Sequence, residues 1–224
     1  MSASLVVFDL DGTLIDTAHD LVASLNHTIG LEGLEPVGFG DLTYLVGHGG
    51  LVMIRRAFSL RGREISDDDL QRMLGVFVEH YSKAMPGVST PYPGLTDAMD
   101  RLSGAGYRLA VCTNKLEGLA RRLLDGLGLT ARFSAITGGD TFTVRKPDAE
   151  HLLGTVRLAE ADPQRTVMIG DSLNDMLVAR NAGVPSIGVP FGYSDVPVAD
   201  LEPSHIIAHF DELTPDLVER LIAR

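Results

Sequence analysis

The sequence predicts an α/β fold in which a mostly parallel sheet carries helices on both faces, with a helical cap inserted after the first strand. Three observations carry this expectation. Short apolar runs recur, LVVF before Asp9, LAVC before Thr113, VMI before Gly170 and SIGV before Pro190, and each ends in polar or glycine residues as buried parallel strands do. Helical spacing lies between them, as in Leu116, Leu119, Leu123 and Leu127 closed by Gly128, so strand and helix alternate in a Rossmann-like manner. Residues 16–92 break that alternation, with helical patterns and no strand run.

In chain order, LVVF forms the first strand and the chain leaves it at Asp9. Within the insertion, Leu21 and Leu25, then Ile54, Ala57 and Phe58, then Leu70, Met73, Leu74 and Phe77 fall at helical intervals, and Pro86, Pro91 and Pro93 mark the return. The expected division is a core of residues 1–15 and 93–224 and a cap of residues 16–92. Ligands of open α/β sheets bind beyond the carboxyl ends of the strands, and the insertion begins there. It is therefore expected to form a lid.

Composition narrows the function. A chain of 224 residues buries a sizeable core without staples. Its single cysteine, Cys112, lies inside LAVC and reads as a buried thiol, with no intramolecular disulfide to form. Nineteen basic residues stand against 30 acidic ones, a net charge of -11 with no basic cluster, which disfavours nucleic acid as a partner. The start MSASLVVFDLDG lacks a basic leader and is interrupted by Asp9 and Asp11. No run approaches the roughly 20 apolar residues that span a bilayer. The expectation is a cytoplasmic protein without a membrane partner.

Four strand exits carry chemistry. At the first, Asp9 and Asp11, two apart, can face the same cavity while Gly12 permits a sharp turn, and a D-x-D-G at a strand exit can equally be an Asx-turn. A calcium loop does not fit, because an EF-hand needs its glycine later and a glutamate at its end. At the second, the Thr113 hydroxyl sits where a helix N-terminus would attract phosphate, while Asn114 and Glu117 have the spacing of a capping pair, and both readings stay open. At the third, Lys146 precedes Pro147, a residue suited to the first turn of a helix. At the fourth, Asp171 stands just past VMI as Asp9 stands past LVVF, and Ser172 with Asp175 has capping-box spacing.

Other patterns contribute less. Gly47, His48, Gly49 and Gly50 do not follow a strand, so they read as a loop that meets the substrate rather than a dinucleotide fingerprint. The seven histidines show no zinc spacing, and neither a G-x-S-x-G elbow nor a P-loop occurs.

Asp9, Asp11, Asp171 and Asp175 around a dianionic phosphate would repel it without cations. Lys146 supplies one positive charge, and an all-oxygen site suits Mg²⁺ for the rest. The roles then divide. Asp9 is the nucleophile, Asp11 the acid and then base, Thr113, Asn114 and Lys146 contact the phosphate, and Asp171 with Asp175 holds or orients the metal.

FDLDGTLIDT at 8–17, TN at 113–114, Lys146 before Pro147 and GDSLND at 170–175 together resemble the four ordered motifs of the haloacid dehalogenase-like phosphatase superfamily. The resemblance spans almost the whole chain. It implies Asp9 as nucleophile, Asp11 as acid/base, and Mg²⁺ held by Asp9, the Asp11 carbonyl and Asp171, beneath a small helical cap. LVGHGGLVMIRRAF at 45–58, TNKLEGLARRLLDGLGL at 113–129 and GVPFGYS at 188–194 are similar to segments of the bacterial phosphoglycolate phosphatases, although Leu116 stands where that group usually has proline. The substrate so implied is a small phosphorylated metabolite, its distal carboxylate met by Arg55 or Arg56 or by the backbone of 47–50. Phosphatases of sugar phosphates, a phosphosugar mutase and a non-catalytic phosphate-binding or protein-interaction domain remain as alternatives.

Overall fold

The computed structural model describes residues 3–42 and 49–223. The chain begins with β1 (Ala3–Phe8) and β2 (Ile15–Asp16), then passes through α1 (Ala18–Gly30), α2 (Phe39–Leu42), α3 (Gly50–Leu60) and α4 (Asp67–Ala84) to β3 (Thr90–Pro91). It continues with α5 (Leu95–Gly104), β4 (Arg108–Cys112), α6 (Glu117–Gly126), β5 (Ala135–Thr137), α7 (Ala149–Leu158) and β6 (Ala161–Gly170). The last elements are α8 (Leu173–Ala182), β7 (Ser186–Gly188), β8 (His205–Ile206) and α9 (Pro215–Ile222).

Six strands form one parallel sheet in the order β5-β4-β1-β6-β7-β8. Side chains alternate across each strand, and both faces are apolar. Val6 and Phe8 of β1 join Leu109, Val111, Val167 and Ile169 against α5, α6 and α9. Leu5 and Val7 join Ala110, Cys112 and Met168 against Leu152 and Val156 of α7 and Val178 of α8. Cys112 is a free, buried thiol, as its run implied. The α/β class and parallel sheet are as expected, and no described helix is long and apolar enough to cross a membrane.

The insertion has its own apolar centre. Leu25 and Ile29 of α1, Met53, Ile54 and Phe58 of α3, and Met73, Phe77 and Tyr81 of α4 pack together, joined by Leu119 from α6. The sequence showed no strand at its margins, yet β2 and β3 pair antiparallel there, Ile15 with Pro91 and Asp16 with Thr90. Two-residue strands are too short to show a period of two. Two local expectations also change. Helix α6 starts at Glu117 behind Leu116, so Asn114 does not cap it, and the Glu117 N–H donates instead to Asp140 Oδ1 at 2.7 Å. Helix α7 starts at Ala149 with Asp148 as its cap, so Pro147 precedes its first turn.

The returning chain is fastened to α1 by one carboxylate. Asp20 accepts from the Val88 N–H at 3.2 Å, the Ser89 N–H at 2.8 Å and the Ser89 hydroxyl at 2.5 Å. Hydrogen bonds to a charged group are the stronger kind, so Asp20→Ala is expected to lower unfolding stability by about 1–3 kcal/mol, with Asp20→Asn restoring part of it. Chemical denaturation of the three proteins checks this.

Candidate active site

Chain order runs outward from β1 in one direction through β4 and β5, and in the other through β6, β7 and β8. The crevice of such a sheet lies at this reversal, between β1 and β6. Asp9 is the first residue past β1 and Asp171 the first past β6. The Asp9 N–H still donates across to Ile169 O at 2.9 Å, so the two exits are locked in register. Gly12 turns the chain at φ +82°, and a Cβ there would lie 2.6 Å from Asp171 Oδ2. At Gly170 a Cβ would meet Asp175 Cβ at 2.2 Å, which is how α8 begins so close to the strand end.

Three carboxylates and one ammonium meet in this crevice, all buried. Lys146 Nζ lies 2.6 Å from Asp175 Oδ1 and 2.8 Å from Asp9 Oδ1. Asp175 Oδ2 accepts from the Ser172 N–H at 3.0 Å and its hydroxyl at 2.7 Å, the capping box that the spacing predicted. Asp171 Oδ1 accepts from the Thr13 hydroxyl and Oδ2 from the Tyr193 N–H, both at 2.8 Å. Ligand oxygens of Asp9, Asp171 and Asp175 all lie within 4.8 Å of one another.

The charge does not balance. Burial, followed by the Asp175 charge, pushes Asp9 up to about 7 against the lowering effect of Lys146. Burial, Asp175 and Asp9 push Asp171 up to about 8. Burial works against the Lys146 charge, but Asp175 and Asp9 outweigh it and hold the ammonium firmly protonated. Asp9 Oδ1, although in ionic contact with Lys146, has no well-directed hydrogen bond. An excess of buried, convergent carboxylate oxygens fits a divalent cation.

Lys146 is held from both ends of its peptide. Its N–H donates to His151 Nδ1 at 3.0 Å, and its carbonyl accepts from Asn114 Nδ2 at 3.1 Å. Burial and the Lys146 charge bring His151 down to about 4, which keeps the ring neutral and able to accept. Thr113 is buried beside them, and its hydroxyl accepts from the Lys115 N–H at 3.1 Å.

Asp11 turns its carboxylate away from this cluster. It accepts from the Thr17 hydroxyl at 2.6 Å and from Lys115 Nζ at 2.7 and 3.0 Å. Lys115 is a site residue that the sequence did not single out, although it directly follows Asn114 at the exit of β4. Its Nζ stands 4.6 Å from the ring centre of Tyr81, on α4 of the insertion.

Asp11, Thr113, Asn114 and Lys115 line a cavity of about 130 Å³ shared with Gly49, Gly50 and Tyr81 of the insertion. Gly47 and His48 lie outside the described residues. Arg55 stands apart from this cavity, exposed on α3 and paired with Asp67 at 2.7 Å, and Arg56 likewise faces outward.

Comparison with known proteins agrees with this geometry. The family model described as Haloacid dehalogenase-like hydrolase matches residues 6–189. The phosphoglycolate phosphatase of Agrobacterium fabrum is 58% identical over 220 residues, covering 98% of this chain and 94% of that protein. That of Mesorhizobium japonicum is 50% identical over 222 residues, covering 99% and 98%. A crystal structure described as a predicted phosphoglycolate phosphatase from Haemophilus somnus superposes with a TM-score of 0.88 at 27% identity, covering 95% of this chain and 97% of that one.

The raised carboxylates have a measurable consequence. In the unfolded chain Asp9 and Asp171 titrate near 3.8, and in the fold near 7 and 8. Between those values the folded protein holds more protons than the unfolded one. Their contribution to stability is therefore complete below the unfolded value and is lost as pH rises through the folded ones. A divalent cation takes the place of those protons. The rise in melting temperature on adding Mg²⁺ is expected to be small near about pH 5 and largest above about pH 8. Thermal melts with Mg²⁺ and with a chelator check it.

Proposed function

Because the chain belongs to the haloacid dehalogenase-like hydrolases, we propose that it is a Mg²⁺-dependent phosphatase that converts 2-phosphoglycolate and water to glycolate and phosphate. The observation that carries this reading is the meeting of Asp9 with Lys146, Asp171 and Asp175 in one buried crevice, with Asp11 two residues along and free of that cluster. The relatives named above share the chain from end to end, which supports the substrate.

Asp9 and Asp171 would hold the metal, and Asp175, whose two oxygens already serve Lys146 and Ser172, would orient its surroundings. When bound, Mg²⁺ supplies positive charge that lets a phosphate dianion approach these carboxylates. Asp9 attacks phosphorus and the ester P–O bond breaks, which leaves the phosphoryl group on Asp9. Asp11 gives a proton to the departing glycolate oxygen, then takes one from the water that cleaves the aspartyl phosphate. Lys146 and the Thr113 hydroxyl offset charge on the phosphoryl oxygens. Lys146 can do so reliably because His151 and Asn114 fix its backbone.

Two substitutions separate the roles. Asp9→Asn is expected to remove turnover while leaving the fold intact, since an amide is a poor nucleophile. Asp11→Asn is expected to slow alkyl phosphates by about 10²- to 10⁴-fold, and 4-nitrophenyl phosphate much less, because that leaving group departs without a proton. Equal losses would take the acid role from Asp11. For the substrate, kcat/KM across a panel of phosphate esters is the test. A hexose phosphate preferred tenfold, about 1.4 kcal/mol of transition-state binding, would overturn the glycolate assignment and leave the mechanism.

A further inference from the structure

Building on the phosphoglycolate reading, we propose that Lys115 Nζ and Tyr81 Oη form the subsite that receives the distal carboxylate of the substrate. One donor comes from the core and the other from the insertion. Four observations lead there.

The first is distance along the substrate. A general acid must lie within hydrogen-bond reach of the ester oxygen it protonates. Lys115 Nζ is 2.7 Å from the Asp11 carboxylate. In 2-phosphoglycolate the carboxylate carbon is two bonds from that ester oxygen, so a substrate seated on Asp11 brings its charged end beside Lys115.

The second is an unmet donor. Tyr81 is buried, and among the described residues its hydroxyl has no hydrogen-bond acceptor. Its neighbour is the Lys115 ammonium, which has no lone pair to offer, so no described group accepts the Tyr81 proton. Burial pushes its ionisation up to about 12, so the proton stays. A buried donor without an acceptor is costly, and here it faces the cavity beside a buried cation. An incoming carboxylate oxygen completes both groups.

The third is the character of the walls. Leu51, Met53, Leu74, Phe77 and Leu119 surround these donors, so an anion inside is shielded from water and its bonds strengthen. The amide end of α3 adds to this, since Gly50 and Leu51 border the same space. A neutral hydroxymethyl end would leave the ammonium and the hydroxyl poorly matched.

The fourth is that Arg55 and Arg145 are both exposed. Arg55 is paired with Asp67 at the surface. Arg145 borders the cavity but is exposed, with no side-chain hydrogen bond or ion pair among the described residues, so its charge is screened by solvent.

The test compares kcat/KM for 2-phosphoglycolate with that for 2-hydroxyethyl phosphate, an ester of the same length whose distal end is uncharged, in saturating Mg²⁺. Taking the ratio cancels any general loss of activity, including one caused by disturbing Asp11. Wild-type protein is expected to prefer the carboxylate by about 100-fold or more. Lys115→Met should bring the ratio close to one, Tyr81→Phe should lower it about tenfold, and Arg145→Gln should leave it. Inhibition of 4-nitrophenyl phosphate hydrolysis by glycolate should weaken in the same order. If Lys115→Met does not fold, Tyr81→Phe, which removes one oxygen, and Lys115→Gln decide. A ratio retained in these variants, or lost only in Arg145→Gln, overturns the subsite and leaves the substrate standing. A wild-type ratio near one instead overturns the phosphoglycolate reading from which the subsite follows.

Discussion

The crevice is built around a charge imbalance at the exits of β1 and β6. Asp9, Asp171 and Asp175 are buried with Lys146 as the counter-charge among them. Removing ionised groups from water costs several kcal/mol each in real proteins, and pairing offsets that only where geometry and hydrogen bonds are good. The surroundings meet this condition group by group. Thr13, Tyr193 and Ser172 each give a hydrogen bond to a carboxylate, and both polar ends of the Lys146 peptide are tied. What remains uncompensated is charge, and that deficit is what makes the crevice a receptor for a cation and then for phosphate.

The insertion is fastened to the same point. Tyr193 gives its N–H to Asp171 and presents its hydroxyl to the start of α1, where it accepts from the Thr17 N–H at 2.7 Å and the Ala18 N–H at 3.0 Å and donates to Asp16 Oδ1 at 2.5 Å. The first N–H groups of a helix have no partner within it. One tyrosine thus satisfies the entry of α1 and steadies a carboxylate of the crevice.

Much of this was legible in the sequence because the constraint that builds the site also leaves a local mark. A carboxylate directly after an apolar run is an unusual thing to find, and Asp9 and Asp171 both show it. Short apolar runs located β1, β4, β6 and β7, whereas β2, β3 and β8 are two residues long and β5 only three, too short to stand out as runs. Asn114 was ambiguous because capping and site roles share one spacing. Only the fold shows that its amide reaches the Lys146 carbonyl, 32 positions away. Lys115 and Tyr81 were illegible for a related reason. A lysine beside a helix start and a tyrosine on an amphipathic helix look ordinary until α4 is laid over the exit of β4.

That overlay explains how one chemistry can serve different substrates. The groups proposed to act on phosphorus, namely Asp9, Lys146 and Thr113, come from the core, where backbone pairing holds Asp9 and Thr113 at the strand exits and His151 and Asn114 hold the Lys146 backbone. The groups beyond Asp11 come from the boundary between core and insertion, and there the register has no hold. Lys115 leaves the core just after β4, and Tyr81 reaches it from a helix whose packing is set by a separate apolar cluster. Substitutions on α3 or α4 can therefore reshape the distal end while the crevice keeps its charge balance. Asp11 stands between the two regions, held by Thr17 at the mouth of the insertion and by Lys115 at the edge of the core. The proposed acid is thus held from both regions at once.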